Sequence, residues 1–187
     1  MTFQQSHVRL LHTDQRILIA RVRNSHFDDV ILVAHCPHKQ HSSIDCKEWW
    51  AQLRDLCRRW QPTFVLMDAN ARLAAGSDDC VGPYCHEALA EHDEMGRELY
   101  RLLQHSRLSA VNTHWPSGAT HTFTHAVGTH HRIDYVAVPH NLLPCTSGFK
   151  VLDDVDKLGA HEDHLPIMTE LEFTTELRHR PSDRPSL

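Results

Sequence analysis

The stretch FVLMDAN, residues 64–70, is a short apolar run that ends abruptly in Asp68-Ala-Asn70. The apolar run predicts a buried strand. Side chains two positions apart on a strand point to the same face, so Asp68 and Asn70 should lie side by side where the sheet gives way to a loop. Asp and Asn also favour turns, and the motif alone leaves a simple turn as an alternative. The rest of the chain decides whether this strand end marks a site.

The composition of the 187-residue chain is that of one globular domain, with 41% apolar and 23% charged residues. No apolar run approaches the roughly 20 residues that cross a bilayer, and residues 1–14 lack the pattern of a signal peptide. We therefore expect an intracellular protein, nuclear or cytoplasmic. The net charge is −5 with histidine neutral. Any contact with phosphate must then be local, through a metal ion or a few placed cations.

Cysteines and histidines are numerous, but their spacing does not indicate a metal site. The six cysteines include no C-x-x-C pair, and without a secretory signal we expect reduced thiols. The 18 histidines are scattered. HEALAEH (86–92) differs from the zinc motif H-E-x-x-H, because its second histidine lies six residues after the first rather than four. Surface histidines are favoured, and a histidine-rich metal-binding module remains an alternative.

Hydrophobic periodicity predicts two helices, at 45–60 and 93–108, and an irregular loop at 71–92. Asp45 is the predicted N-cap of the first helix, with Glu48 as its capping-box partner. Short strands are predicted at 16–23, 30–37, 64–68, 109–113, 120–125, 132–139 and 165–173, the first two as a hairpin.

Helices interspersed with short strands predict an α/β (α+β) fold, a two-sheet β-sandwich flanked by helices. We expect residues 1–173 to form one domain. Residues 174–187 are polar and rich in Pro, Ser and Arg. They predict a disordered tail or linker, because they offer almost nothing to bury.

Polar side chains also stand at the ends of other predicted strands. They are His35, Asp134 with Arg132 two residues before it, and the pair Asp163–His164. A histidine held by an aspartate has a raised pKa and a fixed tautomer, and can act as a general acid or base or face a phosphate as a cation. An aspartate beside an asparagine can orient and deprotonate a water, and a further carboxylate can hold a divalent cation. The assembled set suits the hydrolysis of a phosphate ester.

Three motifs resemble those of the endonuclease/exonuclease/phosphatase superfamily, which has the deoxyribonuclease I-like fold. LMDAN (66–70) is similar to its G-D-x-N motif, RIDYV (132–136) to its R-I-D-Y/W motif, and EDH (162–164) to its closing S-D-H. The resemblance implies a two-sheet β-sandwich flanked by helices, incomplete at the N-terminus.

Two further motifs extend the resemblance. AHCPH (34–38) stands where the family has a Tyr or His before a Pro, and VNT (111–113) followed by THTFTH (120–125) is similar to its N-T…T-W stretch. The motifs run in the family's order from about residue 16 to residue 173. Their wording is closest to the endonuclease domains of non-LTR retrotransposons, which are nicking modules joined to a reverse transcriptase.

The resemblance implies a catalytic role for each matching residue. Asp68 and Asn70 would position and activate the nucleophilic water. His164 would contact the scissile phosphate, with Asp134 as its orienting partner. His35 would stabilise the phosphate or the leaving group.

The resemblance also implies a cofactor and partners. Mg²⁺ or Mn²⁺ would be held by Asp163 together with Asp68 and Asn70. The residues implied in phosphate or DNA contact are Asn112, Thr122 and Arg132. The implied activity is divalent-metal-dependent phosphodiester hydrolysis, most closely the nicking of DNA by a retroelement endonuclease. DNA and a reverse transcriptase domain of the parent polypeptide would be its partners, with no membrane.

The chain departs from the family pattern at three motif positions, Met67 for Gly, Phe123 for Trp and Glu162 for Ser. A larger departure is at the front, because residues 1–15 contain nothing like the family's first two strands, which carry an Asn and the Glu that is the principal metal ligand. The chain thus corresponds to the C-terminal two-thirds of the domain. We expect an exposed sheet edge, an uncovered core face and a weakly held cation. An inactive remnant, or a module that needs a partner to complete its sheet, is the alternative.

Overall fold

The computed structural model describes residues 4–24, 27–38, 42–118, 120–155 and 163–172. Two α-helices are described, α1 (Ser43–Trp60) and α2 (Glu94–Ser106). The strands are β1 (Val8–Thr13), β2 (Ile17–Arg23), β3 (Asp28–His35), β4 (Phe64–Asp68), β5 (Leu108–Ala110), β6 (Phe123–Thr124), β7 (His130–His131), β8 (Asp134–Pro139), β9 (Thr146–Val151) and β10 (Ile167–Leu171). The predicted tail, residues 174–187, lies outside the described residues.

A six-stranded mixed sheet forms the centre of the fold, in the order β1-β2-β3-β4-β8-β5. The strand β2 pairs antiparallel with β1 on one side and with β3 on the other. The parallel pairing of β3 with β4 uses α1 as the crossover, and β8 then pairs antiparallel with both β4 and β5. Two smaller sheets, β9–β10 and β6–β7, lie outside it. The predicted class, sheets flanked by helices, is confirmed.

Both helices pack on one face of the large sheet. The apolar residues Met95, Leu99, Leu102 and Leu103 of α2 are buried, as helical spacing predicts. Helical spacing also predicts an apolar stripe on α1, formed by Trp49, Leu53, Leu56 and Trp60, and of these Leu53 is fully buried. The most buried aromatic of α1 is Trp50, which lies outside that stripe. Helix α1 contacts α2 as well as the sheet, as the Arg54–Glu98 ion pair shows. It therefore buries a wider part of its surface than the stripe alone. Among the described residues, neither helix has the length and apolar character to span a bilayer.

The start of α1 differs from the prediction. Ser42 is the N-cap, with extended backbone and a side chain that accepts a hydrogen bond from the Asp45 amide. The assignment of Asp45 as N-cap is wrong. Asp45 lies in the first turn, where its negative charge favours the positive end of the helix dipole. Asp and Ser are both good caps, and spacing alone did not separate them.

The strands also depart from the sequence pattern, because β1, β7 and β9 are not predicted and the predicted strand 120–125 is reduced to β6. The strand β1 is not predicted, because a bulge between Leu10 and His12 breaks its alternation. The predicted strand 109–113 is shorter in the structure, since the chain turns into a 3₁₀ helix at Val111–Thr113 after β5. The loop 71–92 contains neither helix nor strand, as predicted.

The second face of the large sheet is covered only in part. The pair β9–β10 packs there, with Ile167 and Leu171 against Val136 and Val138 of β8. Beyond this pair, Leu18, Val33 and Leu66 form a cross-strand row that is exposed by 44%, 44% and 39%. An uncovered core face is therefore present among the described residues, as the sequence led us to expect.

Candidate active site

Strand register brings three of the predicted polar residues into one row. His35, the last residue of β3, is the parallel partner of Asp68, and Asp68 is the antiparallel partner of Asp134 at the start of β8. Cross-strand partners project from the same face of a sheet. His35 Nε2 lies 3.4 Å from Asp68 Oδ2, with the imidazole well exposed. The ends of three neighbouring strands thus supply one cluster.

His164 joins this row from the segment that leads into β10. Its backbone forms a bridge with Phe123 of β6, and the Leu165 amide donates to the carbonyl of Thr122. Its Nδ1 lies 3.0 Å and 3.2 Å from the two carboxylate oxygens of Asp134. Its Nε2 lies 4.0 Å from Asp68 Oδ2. A single imidazole therefore spans two carboxylates on adjacent strands.

The charges of the cluster shift two pKa values upward. The hydrogen bond to Asp134 raises the pKa of His164 against the opposing effect of burial, and the charges of Asp68 and Asp163 act in the same direction. Burial raises the pKa of Asp68, and the nearby charge of Asp134 raises it further. The cluster therefore favours a protonated His164 and disfavours a second ionised carboxylate unless a positive charge lies near it.

Asn70 is held beside Asp68 by a turn rather than by a continued strand. Its backbone has φ of 45°, a left-handed conformation that Asn tolerates better than most residues. Its amide N–H donates to Asp68 Oδ1 at 3.0 Å, and its Nδ2 donates to the carbonyl of Cys36 at 2.9 Å. These bonds fix the side chain and use its nitrogen, so the amide oxygen is available as an acceptor. The two residues are adjacent, but through a turn after Asp68 and not through the alternation of a strand.

Two residues assigned to phosphate contact, Asn112 and Thr122, are fully buried beneath the cluster. Asn112 donates to the Asp134 carbonyl at 3.0 Å and accepts from the Val136 amide at 3.4 Å. The hydroxyl of Thr122 accepts from the amides of Ile133 and Asp134, each at 3.1 Å. The described structure thus uses both side chains to hold the first residues of β8. Their contact with phosphate stays a prediction.

Arg132, the third such residue, is 1% exposed. Its guanidinium donates to the carbonyls of Thr120, Asn112 and Tyr84 at 2.5 Å, 2.6 Å and 2.7 Å, and lies over the ring of Phe149. Burial lowers its pKa. The side chain ties three loops together behind the cluster, and the structure does not bring it to the surface row of His35 and the aspartates.

The residues that could hold a metal are Asp68, Asp134 and His164, whose ligand atoms all lie within 4.8 Å of one another. In the described part of the chain no other group of three metal-ligating side chains converges in this way. Asp163 is exposed and lies outside the group. Mg²⁺ is commonly bound by one or two carboxylates, with water and substrate phosphate completing its shell. The carboxylate pair fits such an ion, because a cation there would relieve the repulsion that raises the pKa of Asp68.

Two supporting residues are not assigned by the sequence analysis. The ring of Phe123 packs against the His164 imidazole, with centroids 4.9 Å apart. The buried hydroxyl of Tyr135 lies 3.0 Å from the Arg132 carbonyl and accepts from the Leu73 amide at 3.3 Å. Tyr135 stands in the RIDYV motif, which was the available signal. Phe123 stands in the THTFTH motif where the family has Trp, but its contact with His164 depends on the bridge between β6 and His164, which the motif does not predict.

The sequence matches no protein-family model and no curated protein. Solved structures are similar in fold. The 3′ phosphatase NExo from Neisseria, bound to product DNA hairpin, has a TM-score of 0.64 at 18% identity, with 92% of this chain and 72% of that chain covered. The endonuclease domain of TRAS1, a telomere-specific non-LTR retrotransposon, has a TM-score of 0.59 at 14% identity, with 91% and 71% covered.

An AP endonuclease from Archaeoglobus fulgidus is also similar, with a TM-score of 0.55 at 17% identity and 89% and 70% of the two chains covered. At these low identities, the TM-scores establish likeness of fold alone. The chain has the deoxyribonuclease I-like fold, the fold of the superfamily whose motifs its sequence resembles. It spans about seven-tenths of the length of each of these three structures.

Proposed function

We propose that this chain hydrolyses phosphodiester bonds in DNA at the cluster of Asp68, Asn70, Asp134 and His164. The observation that carries the proposal is the position of His164, with Nδ1 on Asp134 and Nε2 4.0 Å from Asp68. If His164 only formed a structural ion pair, one carboxylate would be enough. Two carboxylates around one imidazole, with the pKa values of Asp68 and His164 both raised, match the needs of acid–base catalysis.

In this proposal Asp68 and Asn70 hold the attacking water. The water donates a hydrogen bond to the amide oxygen of Asn70, and Asp68 in its ionised form takes the other proton as the water oxygen attacks phosphorus. The ester P–O bond opposite the water breaks, and its electron pair leaves on the ester oxygen, which then takes a proton from solvent. Burial and then the charge of Asp134 raise the pKa of Asp68, which makes its carboxylate a stronger base than an exposed aspartate.

His164 acts on the phosphoryl group as a cation. With Nδ1 bound to Asp134, the remaining N–H at Nε2 is oriented toward the space beside Asp68. It can donate to a phosphoryl oxygen as negative charge develops there. His35, exposed at the other end of the row, is placed to contact the leaving group or a neighbouring phosphate.

A divalent cation, Mg²⁺ or Mn²⁺, would be held by the carboxylates of Asp68 and Asp134, with the amide oxygen of Asn70 as a further donor. When bound, it supplies neutralisation of phosphoryl charge. The finer assignment, a DNA-nicking endonuclease of retroelement type with a reverse transcriptase domain in the parent polypeptide, is supported by the wording of the motifs and by the likeness to the TRAS1 domain.

The reaction class is tested with two chromogenic esters and a labelled DNA duplex. We expect the purified chain in Mg²⁺ or Mn²⁺ to hydrolyse bis(p-nitrophenyl) phosphate, a diester, faster than p-nitrophenyl phosphate, a monoester, and to cleave the duplex. Asp68→Asn and His164→Gln should each lower the rate by about 100-fold or more, the usual contribution of an acid–base group. His105→Gln, a substitution of an exposed histidine near the end of α2, is the matched control.

Equal loss in His105→Gln, or activity unaffected in both site variants, would sink the proposal. A folded chain with no hydrolysis above the His164→Gln background would favour the inactive remnant instead. That alternative is favoured by one observation, namely that the converging group contains only two carboxylates among the described residues.

A further inference from the structure

The β6–β7 hairpin holds His164 in place from one side. Two hydrogen bonds of 2.7 Å, made by the amides of Thr124 and Leu165, join the hairpin to residues 163–165. The bridge from Phe123 to His164 lies between them. The position of the imidazole in the candidate site therefore depends on where the hairpin lies.

The hairpin is in turn held by the loop that precedes α2. His86 of this loop donates from Nε2 to the carbonyl of His130 at 3.2 Å, and its Nδ1 lies 2.5 Å from the hydroxyl oxygen of Thr120. The next residue, Glu87, accepts a hydrogen bond from Nδ1 of His131 at 2.8 Å, and both side chains are half-buried. We call these contacts of His86 and Glu87 the latch.

The base of the hairpin has an anchor of its own. The buried guanidinium of Arg132 donates to the carbonyls of Thr120 and Tyr84. Within the hairpin, the Thr122 amide donates to the His131 carbonyl at 2.8 Å. Loss of the latch should therefore change where the hairpin lies and leave the hairpin itself formed.

Three imidazoles lie close together where the loop meets the hairpin. The ring centroid of His121 lies 4.3 Å from that of His130 and 5.9 Å from that of His86. We call these three the hairpin histidines. Positive charges at such distances repel one another, so protonation of more than one ring works against the packing that brings the rings together.

Charged groups of both signs surround the hairpin histidines. They are Arg132 and, when protonated, His131 on the positive side, with Glu87 and Asp153 on the negative side. Burial lowers the pKa of His86 and of His121, and the positive groups nearby lower both pKa values further. The packed arrangement therefore favours neutral rings. Its stability is full above the ordinary pKa of 6.5 and is lost progressively as the pH falls below it.

We propose that His86 and Glu87 are positioning residues for His164, and that protonation of the hairpin histidines opens the latch. When the rings are neutral, the latch keeps the hairpin in place and His164 between the two carboxylates of the site. When the rings gain charge, their repulsion opens the latch, and residues 163–165 move with the hairpin. The effect on hydrolysis rests on the proposed function, whereas the movement of the hairpin does not.

Hydrogen exchange measured by NMR tests the movement directly. The reporters are the amides of Thr124 and Leu165, which join the hairpin to residues 163–165, and the amides of Leu32 and Val65 report on the central sheet. Exchange is expressed as a protection factor, which removes the intrinsic effect of pH. Between about pH 7.5 and about pH 5.5, the protection of the reporter amides should fall by about tenfold, while that of the central sheet should not change.

Three variants and a control separate the contacts of the latch from the charge of the rings. Glu87→Ala removes the bond to His131 and should lower the protection of the reporter amides by about tenfold even at neutral pH, whereas Glu87→Gln keeps an acceptor and should lose less. His121→Gln removes one charge from the hairpin histidines and should retain protection to lower pH than the wild type. His105→Gln is the control, because His105 is exposed and lies on α2.

Hydrolysis of bis(p-nitrophenyl) phosphate gives a second readout. In Glu87→Ala, kcat should fall by about tenfold with little change in KM, because a displaced His164 loses a contact made as charge develops on the phosphoryl group. If the exchange results are as expected but the chain hydrolyses nothing, the latch stands and the proposed function fails.

Three results would overturn the proposal. One is protection of the reporter amides that stays constant or rises as the pH falls, the direction that the His164–Asp134 hydrogen bond alone would give. Another is equal protection in Glu87→Ala and the wild type. The third is a parallel loss of protection at Leu32 and Val65, which would show that acid unfolds the whole sheet rather than releasing the hairpin.

Discussion

Asp134 is held from both its backbone and its side chain. Its amide and carbonyl are bound by Thr122 and Asn112, and its carboxylate is bound by His164. The backbone contacts fix the position of the carboxylate independently of His164. The protonation state of His164 therefore depends on a side chain that is itself rigidly placed.

Removing that carboxylate charge should lower the pKa of His164. In Asp134→Asn the main cause of the raised value is lost, so the imidazole should lose its proton at lower pH than in the wild type. The pKa of Asp68 should fall as well, because Asp134 is one of the causes that raise it. NMR titration of the His164 ring protons and the Asp68 carboxyl carbon measures both shifts.

Asp55→Asn, at an exposed aspartate of α1, is the control and should leave both titrations unchanged. A pKa of His164 that stays raised in Asp134→Asn would show that the hydrogen bond is not its cause.

Arg132 illustrates a supporting role that is invisible in the sequence. Its guanidinium satisfies three carbonyls at once, and a lysine has neither the reach nor the planar donors to replace it. We expect Arg132→Lys to lower the free energy of unfolding by about 2–4 kcal/mol, because buried carbonyls are left unpaired. Urea unfolding measures this loss.

Arg97→Lys is the matched control, since Arg97 is exposed and bonds one carbonyl. The free energy of unfolding of Arg97→Lys should stay within about 0.5 kcal/mol of the wild type. Equal, small losses in the two variants would show that the buried bonds of Arg132 contribute little.

Much of the candidate site could be predicted at the level of residues. Motifs at strand ends predict Asp68, Asn70, Asp134 and His164 as site residues, and the structure brings the four together. Burial could not be predicted in the same way. Arg132 and Asn112 have the residue types of phosphate ligands, yet both are satisfied by backbone groups from segments distant in sequence.

At the scale of elements, hydrophobic periodicity does not locate the ends of helices and strands. The stripe of α1 located the helix, but Ser42 rather than Asp45 supplies the cap. The strand β1 is not predicted, because its bulge after Leu10 breaks the alternation of apolar and polar residues. Apolar spacing reports which face is buried, and it reports poorly on where regular structure begins or breaks.

The cap assignment is tested by substitution at the two competing positions. Ser42→Ala should lower the free energy of unfolding by about 1 kcal/mol, because the Asp45 amide loses its acceptor. Asp45→Asn should cost only a few tenths of a kcal/mol, since it removes a charge from the helix dipole and no hydrogen bond of the cap. Thermal or urea unfolding measures both. A larger loss in Asp45→Asn would return the N-cap to Asp45.

The whole molecule combines a deoxyribonuclease I-like fold with a surface that is not basic. Lysine and arginine number 19 against 24 aspartates and glutamates. For the proposed function, long-range attraction to DNA should therefore be weak, and contact should depend on the few groups at the site. The fold class could be predicted because the motifs and alternating elements agree. The cover of the second sheet face could not, since it depends on how far β9–β10 extends across the sheet.

This charge balance predicts a shallow salt dependence of DNA binding. If only a few phosphates are contacted, the slope of log K against log of salt concentration should be no steeper than about −3. Fluorescence anisotropy of a labelled duplex in Ca²⁺, between low and physiological salt, gives the slope. A steep slope, near about −6 or beyond, would indicate a broad cationic surface in contact with DNA.

The most direct test of the account is the nicking of supercoiled plasmid by the purified chain in Mg²⁺. We predict that open circles accumulate with time, that a chelator abolishes them, and that His164→Ala lowers their rate by about 100-fold or more, while His105→Ala does not. Circular dichroism confirms that each variant is folded. Nicking at the same rate in His164→Ala and the wild type, or none from the folded wild type, would contradict the assignment of Asp68, Asp134 and His164 as a hydrolytic site.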